Sequence, residues 1–374
     1  MANPTSPNRL VLEGVPRIHF FEGGATCPED ICFPSALKAC LKFLGDPIGC
    51  KHSTPPTQGL ACCGYSYLVG TTGEAFALSW SPTWEFGNAI HAIAATDADA
   101  PYRQAMGSVG YACEIVRKEP RRDNAALFRA RIIASLVEKR RPVIGFGVAG
   151  PPEAAIITGY EEGGDVLIGW SFFQKMPEFA AGLAFEPSGY LRKRDWFEDT
   201  ESLLIIGDKQ AAPQLGDIYQ QALHWNIEVA RRPLVGGAAN GLAAYTAWAE
   251  ALAHDEDFPA DDEATLRARH QRHEMAVGCV AENRWYGSQF LIEAADHVHY
   301  SLIEDLYTAA ARLAGEHDLM WKVWDAAGGN GNPNAWAKLA EPAVRRQIIA
   351  HILQARDKDL DAAEHLEHAL RLGK

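Results

Sequence analysis

The chain has 374 residues, of which 47% are hydrophobic and 22% charged, and its formal net charge is −13. That length favours two domains, the composition is that of an ordinary globular protein, and the acidic balance argues against a nucleic-acid partner, because phosphate binding needs a basic face. No stretch of eighteen apolar residues occurs and Met1 to Arg9 lacks the apolar centre of a secretory signal, so neither a membrane partner nor export is expected, and the location read from this is cytoplasmic with mostly reduced cysteines.

In chain order, Leu10 to Phe21 holds two β-like pieces broken by Gly14-Val15-Pro16. Cys32 to Gly45 is a cysteine, a proline in the first turn, apolar residues at helical spacing and a stopping glycine, which predicts a helix. Cys50 to Ala61 is a loop by composition, and Tyr65 to Thr72 a short helix. Glu74 to Trp80 reads as a strand with Phe76, Leu78 and Trp80 on one face, and Gly110 to Val116 as another. Asn124 to Lys139 is an amphipathic helix with Phe128, Ile132 and Leu136 four apart. Three apolar runs follow, Pro142 to Val148, Ala154 to Tyr160 and Val166 to Trp170. The last two are joined by the hairpin composition Glu161-Glu162-Gly163-Gly164-Asp165, and Ser202 to Ile206 adds a strand. This is the pattern of an α+β domain with a largely antiparallel sheet.

Beyond Ala211-Ala212-Pro213 the strand signal fades and Ala, Leu, Glu and Arg dominate. Helices are predicted over Asp217 to Arg232, Ala238 to His254, Asp262 to Ala295, Leu302 to Glu316 and Pro342 to Leu372. The expected division is therefore 1–210, α+β, and 211–374, all-α.

Cys32 is the leading candidate for chemistry. A thiol at a helix start feels the positive end of the peptide dipoles, which favours thiolate, the sulfur nucleophile. Eight cysteines occur, seven before residue 114, with no C-x-x-C pair, so the spacing is not that of a zinc site and no cofactor is expected. Cys62-Cys63 with Cys27 could form a redox or metal site, against the ordinary alternative of buried inert thiols. Cys40 falls on the apolar face of the Cys32 helix and reads as core. His270, His273 and Glu274 share one helix face that could hold a divalent metal, but a solvated charged face is the better reading. Arg231, Arg232 and Arg284 could bind an anionic group in a cleft, or pair with Glu228 and Glu282 on their own helices. Trp170, Phe172 and Phe173 could line a cleft or fill the core.

The Cys32 segment resembles the nucleophile helix of the peptidase C39-like branch of the papain-like fold. Pro34, Leu37, Leu41, Leu44 and Gly45 fit, and Phe33 stands where that family commonly has glycine. Ala154-Ala155-Ile156-Ile157-Thr158-Gly159-Tyr160 resembles the strand that opens with the family's general-base histidine. The whole chain is similar to proteins with a butirosin biosynthesis protein H N-terminal domain, which join a papain-like half to a helical half. Gly64 to Gly70, Gly73 to Phe76, Arg284-Trp285-Tyr286, Phe290-Leu291 and Ala294-Ala295 carry that likeness.

The resemblance implies a papain-like (C39-like) N-terminal domain, a helical C-terminal domain and acyl transfer from a carrier-protein thioester to an amine, with Cys32 as nucleophile. It also marks three departures. Glu153 occupies the position of the base histidine. Gly169-Trp170-Ser171 stands where Asn or Asp often orients that histidine. Thr26 falls near the place of the oxyanion amide. His19, His52 and His91 are the substitute histidines weighed for the base.

Two functions are expected from this. One is cysteine-dependent acyl transfer, or hydrolysis of an amide or thioester, on a small molecule, a peptide or a substrate carried by an acyl carrier protein. The other is a non-catalytic ligand-binding protein on a scaffold that has lost its base. A third, assembly through the helical half, is retained, and a homo-oligomer is left open.

Overall fold

A computed structural model describes residues 7–17, 29–48, 63–81, 83–84, 97–119 and 123–372. Its elements run β1 (Leu10–Val11), α1 (Cys32–Phe43), α2 (Cys63–Thr72), β2 (Ser79–Trp80), α3 (Ala100–Ser108), β3 (Tyr111–Arg117), α4 (Ala125–Glu138), β4 (Val143–Phe146), β5 (Ala154–Glu161), β6 (Val166–Trp170), β7 (Leu183–Phe185), β8 (Leu191–Arg194) and β9 (Ser202–Lys209). They continue with α5 (Leu215–Arg231), β10 (Leu234–Val235), β11 (Ala238–Asn240), α6 (Leu242–Ala253), α7 (Glu263–Ala295), α8 (Ile303–Ala326), α9 (Ala335–Lys338) and α10 (Pro342–Leu372). The class is α+β, with an antiparallel sheet and a helical C-terminal region.

The chain folds as two compact units, Met1–Cys50 with Met106–Ala212, and Lys51–Ala105 with Pro213–Lys374. The third crossing lies between Ala212 and Pro213, where the composition changes. The first two crossings carry no such signal, and they give residues 63–84 to the unit that holds the C-terminal helices.

In the first unit the strands lie in the order β3-β9-β4-β5-β6-β8-β7, every pair antiparallel. β1 pairs with the far end of β5, at Tyr160 and Gly159, so it continues the row of β4 along that edge. The Glu161 to Asp165 connection is the expected hairpin turn, with Glu162 at φ 52° and Gly163 at φ 64°. β5 is bulged at Thr158, where the pairing with β6 skips one residue. α1 and α4 both pack on β5, which is buried from Ala154 to Tyr160.

In the second unit α7, α8 and α10 pack side by side, with α6 against α10 and α2 against α7. Trp80, Trp248, Leu252, Val280, Met320, Ile348 and Ile352 sit in one continuous apolar core. β2, β11 and β10 form a separate three-stranded sheet. Trp80 of β2 stacks on Trp248 of α6 with ring centroids 5.6 Å apart. Among the described residues no helix is long and apolar enough to cross a membrane.

Three elements differ from their sequence expectation. The strand expected over Glu74 to Trp80 is a 3-10 turn at Glu74–Phe76 followed by only two strand residues. Every side chain from 74 to 80 is buried, so alternation had no exposed face to mark, and the carbonyls of Ala75, Phe76 and Ala77 are taken by Arg284 instead of a strand partner. The helix expected from Ala238 begins at Leu242, because Gly241 at φ 55° breaks the chain after β11. An added Cβ there would lie 2.2 Å from the carbonyl oxygen of Ala230, so this turn requires glycine. α8 runs on ten residues past Glu316, to Ala326. The β7–β8 and β10–β11 hairpins went unread, being two to four residues per strand.

Candidate active site

Cys32 is the first residue of α1 and is 4% exposed. Ile31 holds the N-cap position with extended backbone and has no side-chain oxygen to offer the first turn. The turn is fixed from outside the helix: Ser35 Oγ donates to the carbonyl of Glu29, and Lys38 Nζ clamps the Glu29 carboxylate at 2.7 and 2.8 Å. The Cys32 thiol lies 3.8 Å from the carbonyl oxygen of Asp30. Leu37, Cys40 and Leu41 are fully buried, which sets the helix down on the sheet. Burial pushes the Cys40 thiol well above the usual cysteine range and keeps it protonated, as a core residue.

The register of the sheet locates Glu153. Phe146 ends β4 and pairs with Ala154, the first residue of β5, so Glu153 stands at that same end. Glu153 is buried, and its carbonyl accepts from the amide of Gly147 at 3.1 Å. The Phe33 ring lies 6.1 Å from that of Phe146. The start of α1, the end of β4 and the start of β5 therefore meet at one corner, which brings Cys32 and Glu153 to the same end of the sheet.

Trp170 ends β6, opposite Ile156, and is buried with its ring edge against Phe172 at 4.9 Å. The chain after it folds back over the β4–β5 loop. Ser171 Oγ donates to the carbonyl of Ala149 at 2.7 Å, and the amide of Phe173 donates to Ser171 Oγ at 3.2 Å. Gly150, at φ 99°, lies under Phe173 so closely that an added Cβ would sit 2.6 Å from the Phe173 Cβ. Gln174 is buried too: its Oε1 accepts from the amide of Ser171 at 3.1 Å and its Nε2 donates to the carbonyl of Gly189 at 2.9 Å. Ser171 belongs to the Gly169-Trp170-Ser171 stretch singled out in the sequence, whereas Gln174 is the side chain that sequence reasoning missed as part of this corner. A buried glutamine directly after an apolar pair carries no periodic signal.

Thr26, His19, His52, His91, Cys27 and Cys62 lie outside the described residues. Among the described residues, every histidine comes at or after His224, in the second unit.

Arg284 lies in the second unit and does not serve as a cleft cation. Its side chain is 0% exposed and its guanidinium is used internally, by Ala75, Phe76 and Ala77 carbonyls, Tyr245 and Asp359. The expected partner Glu282 instead accepts from the Tyr65 hydroxyl at 2.5 Å. Arg231 pairs with Glu367 of α10 at 2.8 Å, and Arg232 with Glu228. The His270–His273–Glu274 face is not a solvated one throughout. His273 is buried and its Nδ1 accepts from Trp248 Nε1 at 3.2 Å, while His270 Nε2 lies 3.3 Å from the Glu274 carboxylate. Among the described residues no group of three His, Cys, Asp or Glu side chains is arranged to hold a metal ion.

Protein-family models give no match to this chain, and no curated protein matches it.

Proposed function

We propose that the first unit is a cysteine acyl-transfer or hydrolytic centre on a papain-like plan, with Cys32 as nucleophile. The acyl donor is a small molecule, a peptide or the thioester of an acyl carrier protein. The observation that supports this most is the seating of the α1 start at the end of the sheet that also carries Glu153. The start of this twelve-residue helix stabilises negative charge at its entrance, both on the sulfur and on an oxyanion formed beside it.

The chemistry divides in two. Cys32 thiolate attacks the acyl carbon, the new C–S bond forms, and the donor's thiol or amine leaves and takes up a proton. An amine or water then attacks the acyl-cysteine, gives a proton to the Glu153 carboxylate, and expels Cys32 as thiolate. A carboxylate suits this second proton better than the first, because its charge beside a sulfur opposes thiolate formation but attracts an ammonium acceptor.

A second reading, a ligand-binding protein without turnover, is favoured by the low exposure of Cys32 and by the absence of histidine from the described part of the first unit. Incubation with a simple acyl thioester, followed by intact mass measurement, separates the two. The enzyme reading expects one acyl adduct, on Cys32, lost in Cys32→Ser. No adduct, together with iodoacetamide labelling of Cys32 no faster than of the other seven cysteines, leaves the binding reading.

A further inference from the structure

Four helices and one turn of the second unit meet at a sealed cluster of charge. Arg284 of α7, Glu316 of α8, Asp359 of α10 and Tyr245 of α6 are each 0% exposed. Arg284 Nη2 donates to Asp359 Oδ2 at 2.7 Å and to the Tyr245 hydroxyl at 3.0 Å, and Nη1 reaches the carbonyls of Ala75 and Ala77, both at 3.1 Å. The Tyr245 hydroxyl donates to Glu316 Oε1, and Arg284 Nε lies 3.3 Å from that same oxygen.

One cation thus stands against two carboxyl groups. Two oxygens are left without a donor, Glu316 Oε2 and Asp359 Oδ1, one from each carboxyl. Both carboxyls converge on the one guanidinium, Asp359 Oδ2 at 2.7 Å from Nη2 and Glu316 Oε1 at 3.3 Å from Nε. The remaining charges on these helices are engaged elsewhere. Arg312 pairs with Asp361 at 2.5 Å in a half-exposed site, Arg356 turns to Asp357 and Thr246, and Lys358 lies over Gly315. His317 is held against the carbonyl of Ala281 at 2.9 Å. Among the described residues no second cation reaches the cluster.

Two ionised carboxylates here would leave an uncompensated buried negative charge, which is strongly unfavourable. A proton on one carboxyl removes that excess and supplies both orphaned oxygens with a partner at once. We propose that Glu316 and Asp359 share one proton at neutral pH, in an O–H···O bond between Glu316 Oε2 and Asp359 Oδ1, and that this proton fastens α8 to α10. Asp359, with the closer approach to Arg284, keeps the charge, and Glu316 carries the proton. In keeping with this, burial pushes the Glu316 carboxyl well above its usual range, with Asp359 adding to the push, and burial raises Asp359 as well.

The device is alkaline-sensitive. The folded chain holds a proton that the unfolded chain gives up above the ordinary glutamate range, so the stabilisation is complete below that range and declines as pH rises toward the folded value. Infrared spectroscopy of the intact wild-type chain at neutral pH tests the proton directly. A protonated-carboxyl C=O band that is absent from Glu316→Gln is expected, and the lack of such a band overturns the proposal. Denaturant unfolding gives an independent reading. Gln keeps a donor for Asp359 without a titrating proton, so the wild-type to Glu316→Gln ratio of folding constants should fall about tenfold per pH unit above the glutamate range. A ratio that does not change with pH also overturns it.

Discussion

The ring of Phe33 lies 6.1 Å from that of Phe146, tilted by 32°. Phe33 follows Cys32 in α1, and Phe146 is the sheet partner of Ala154, which follows Glu153. One aromatic contact therefore ties the nucleophile's helix to the strand end that carries the carboxylate. Phe33→Ala should cost about 3 kcal/mol in denaturant unfolding. It should also change the iodoacetamide labelling rate of Cys32 while Cys40, deep in the core, stays unreactive. An unchanged Cys32 rate in the folded variant would separate the helix seat from the sulfur's environment.

Glu153→Gln should uncouple the two chemical steps. Acylation of Cys32 by a thioester, followed by mass spectrometry, should persist, because the carboxylate is not asked to activate the sulfur. Transfer to an amine should slow by about 100-fold or more, the usual contribution of a positioned base. Equal slowing of both steps would assign Glu153 to positioning instead.

Arg284 is the central strut of the second unit. Arg284→Met leaves the Asp359 carboxyl, the Tyr245 hydroxyl and three carbonyls without this donor and removes the only cation beside Glu316 among the described residues, and the loss should be about 3–5 kcal/mol. Arg284→Lys should recover only part of it, since one ammonium cannot reach acceptors on α10, α6 and the 75–77 turn together. Thermal or urea unfolding of both variants checks the order.

His273 gives the second unit an acid limit. Burial pushes its imidazole down to about 3, and the neutral ring accepts from Trp248. The unfolded chain binds a proton at this residue below about pH 6.5 and the folded chain does not, so stability falls as pH drops from that value toward about 3. Between pH 7 and pH 5 the loss from this group is about 2 kcal/mol. His273→Phe should lower stability at pH 7, through loss of the Trp248 bond, and show a smaller drop on acidification. Urea midpoints at the two pH values decide it.

A fragment starting at residue 213 should not fold cooperatively. It lacks the 75–77 carbonyls that Arg284 binds and Trp80, which stacks on Trp248. Weak near-ultraviolet dichroism with retained helix content is the expected result, and a sharp two-state transition would count against it.

Long periodic elements were legible in the sequence. α1, α4, α7 and α10 carry apolar residues at helical spacing or strong caps, and β4, β5, β6 and β9 are unbroken apolar runs. What failed was local pattern under complete burial. Residues 74–80 are enclosed on every side, so their alternation of size was not an alternation of exposure. The β10–β11 hairpin is specified by Gly236-Gly237, but Ala-rich sequence beyond it mimics a helix start. At the candidate site, Cys32 and Glu153 were visible through motif position. Gln174 was not, because its role is a pair of hydrogen bonds to loop backbone, which leaves no spacing to read.

The bond from Arg284 to the carbonyl of Ala75 spans 209 residues. At a synthesis rate of about 5–20 residues per second, the 75–77 turn leaves the ribosome roughly ten to forty seconds before its guanidinium exists. Through that interval its apolar neighbours Phe76, Leu78 and Trp80 have no native cover from the later helices. The nascent chain thus carries a window in which chaperone capture of this short segment competes with self-association, and synonymous codon changes between positions 85 and 284 would alter yield without altering the protein.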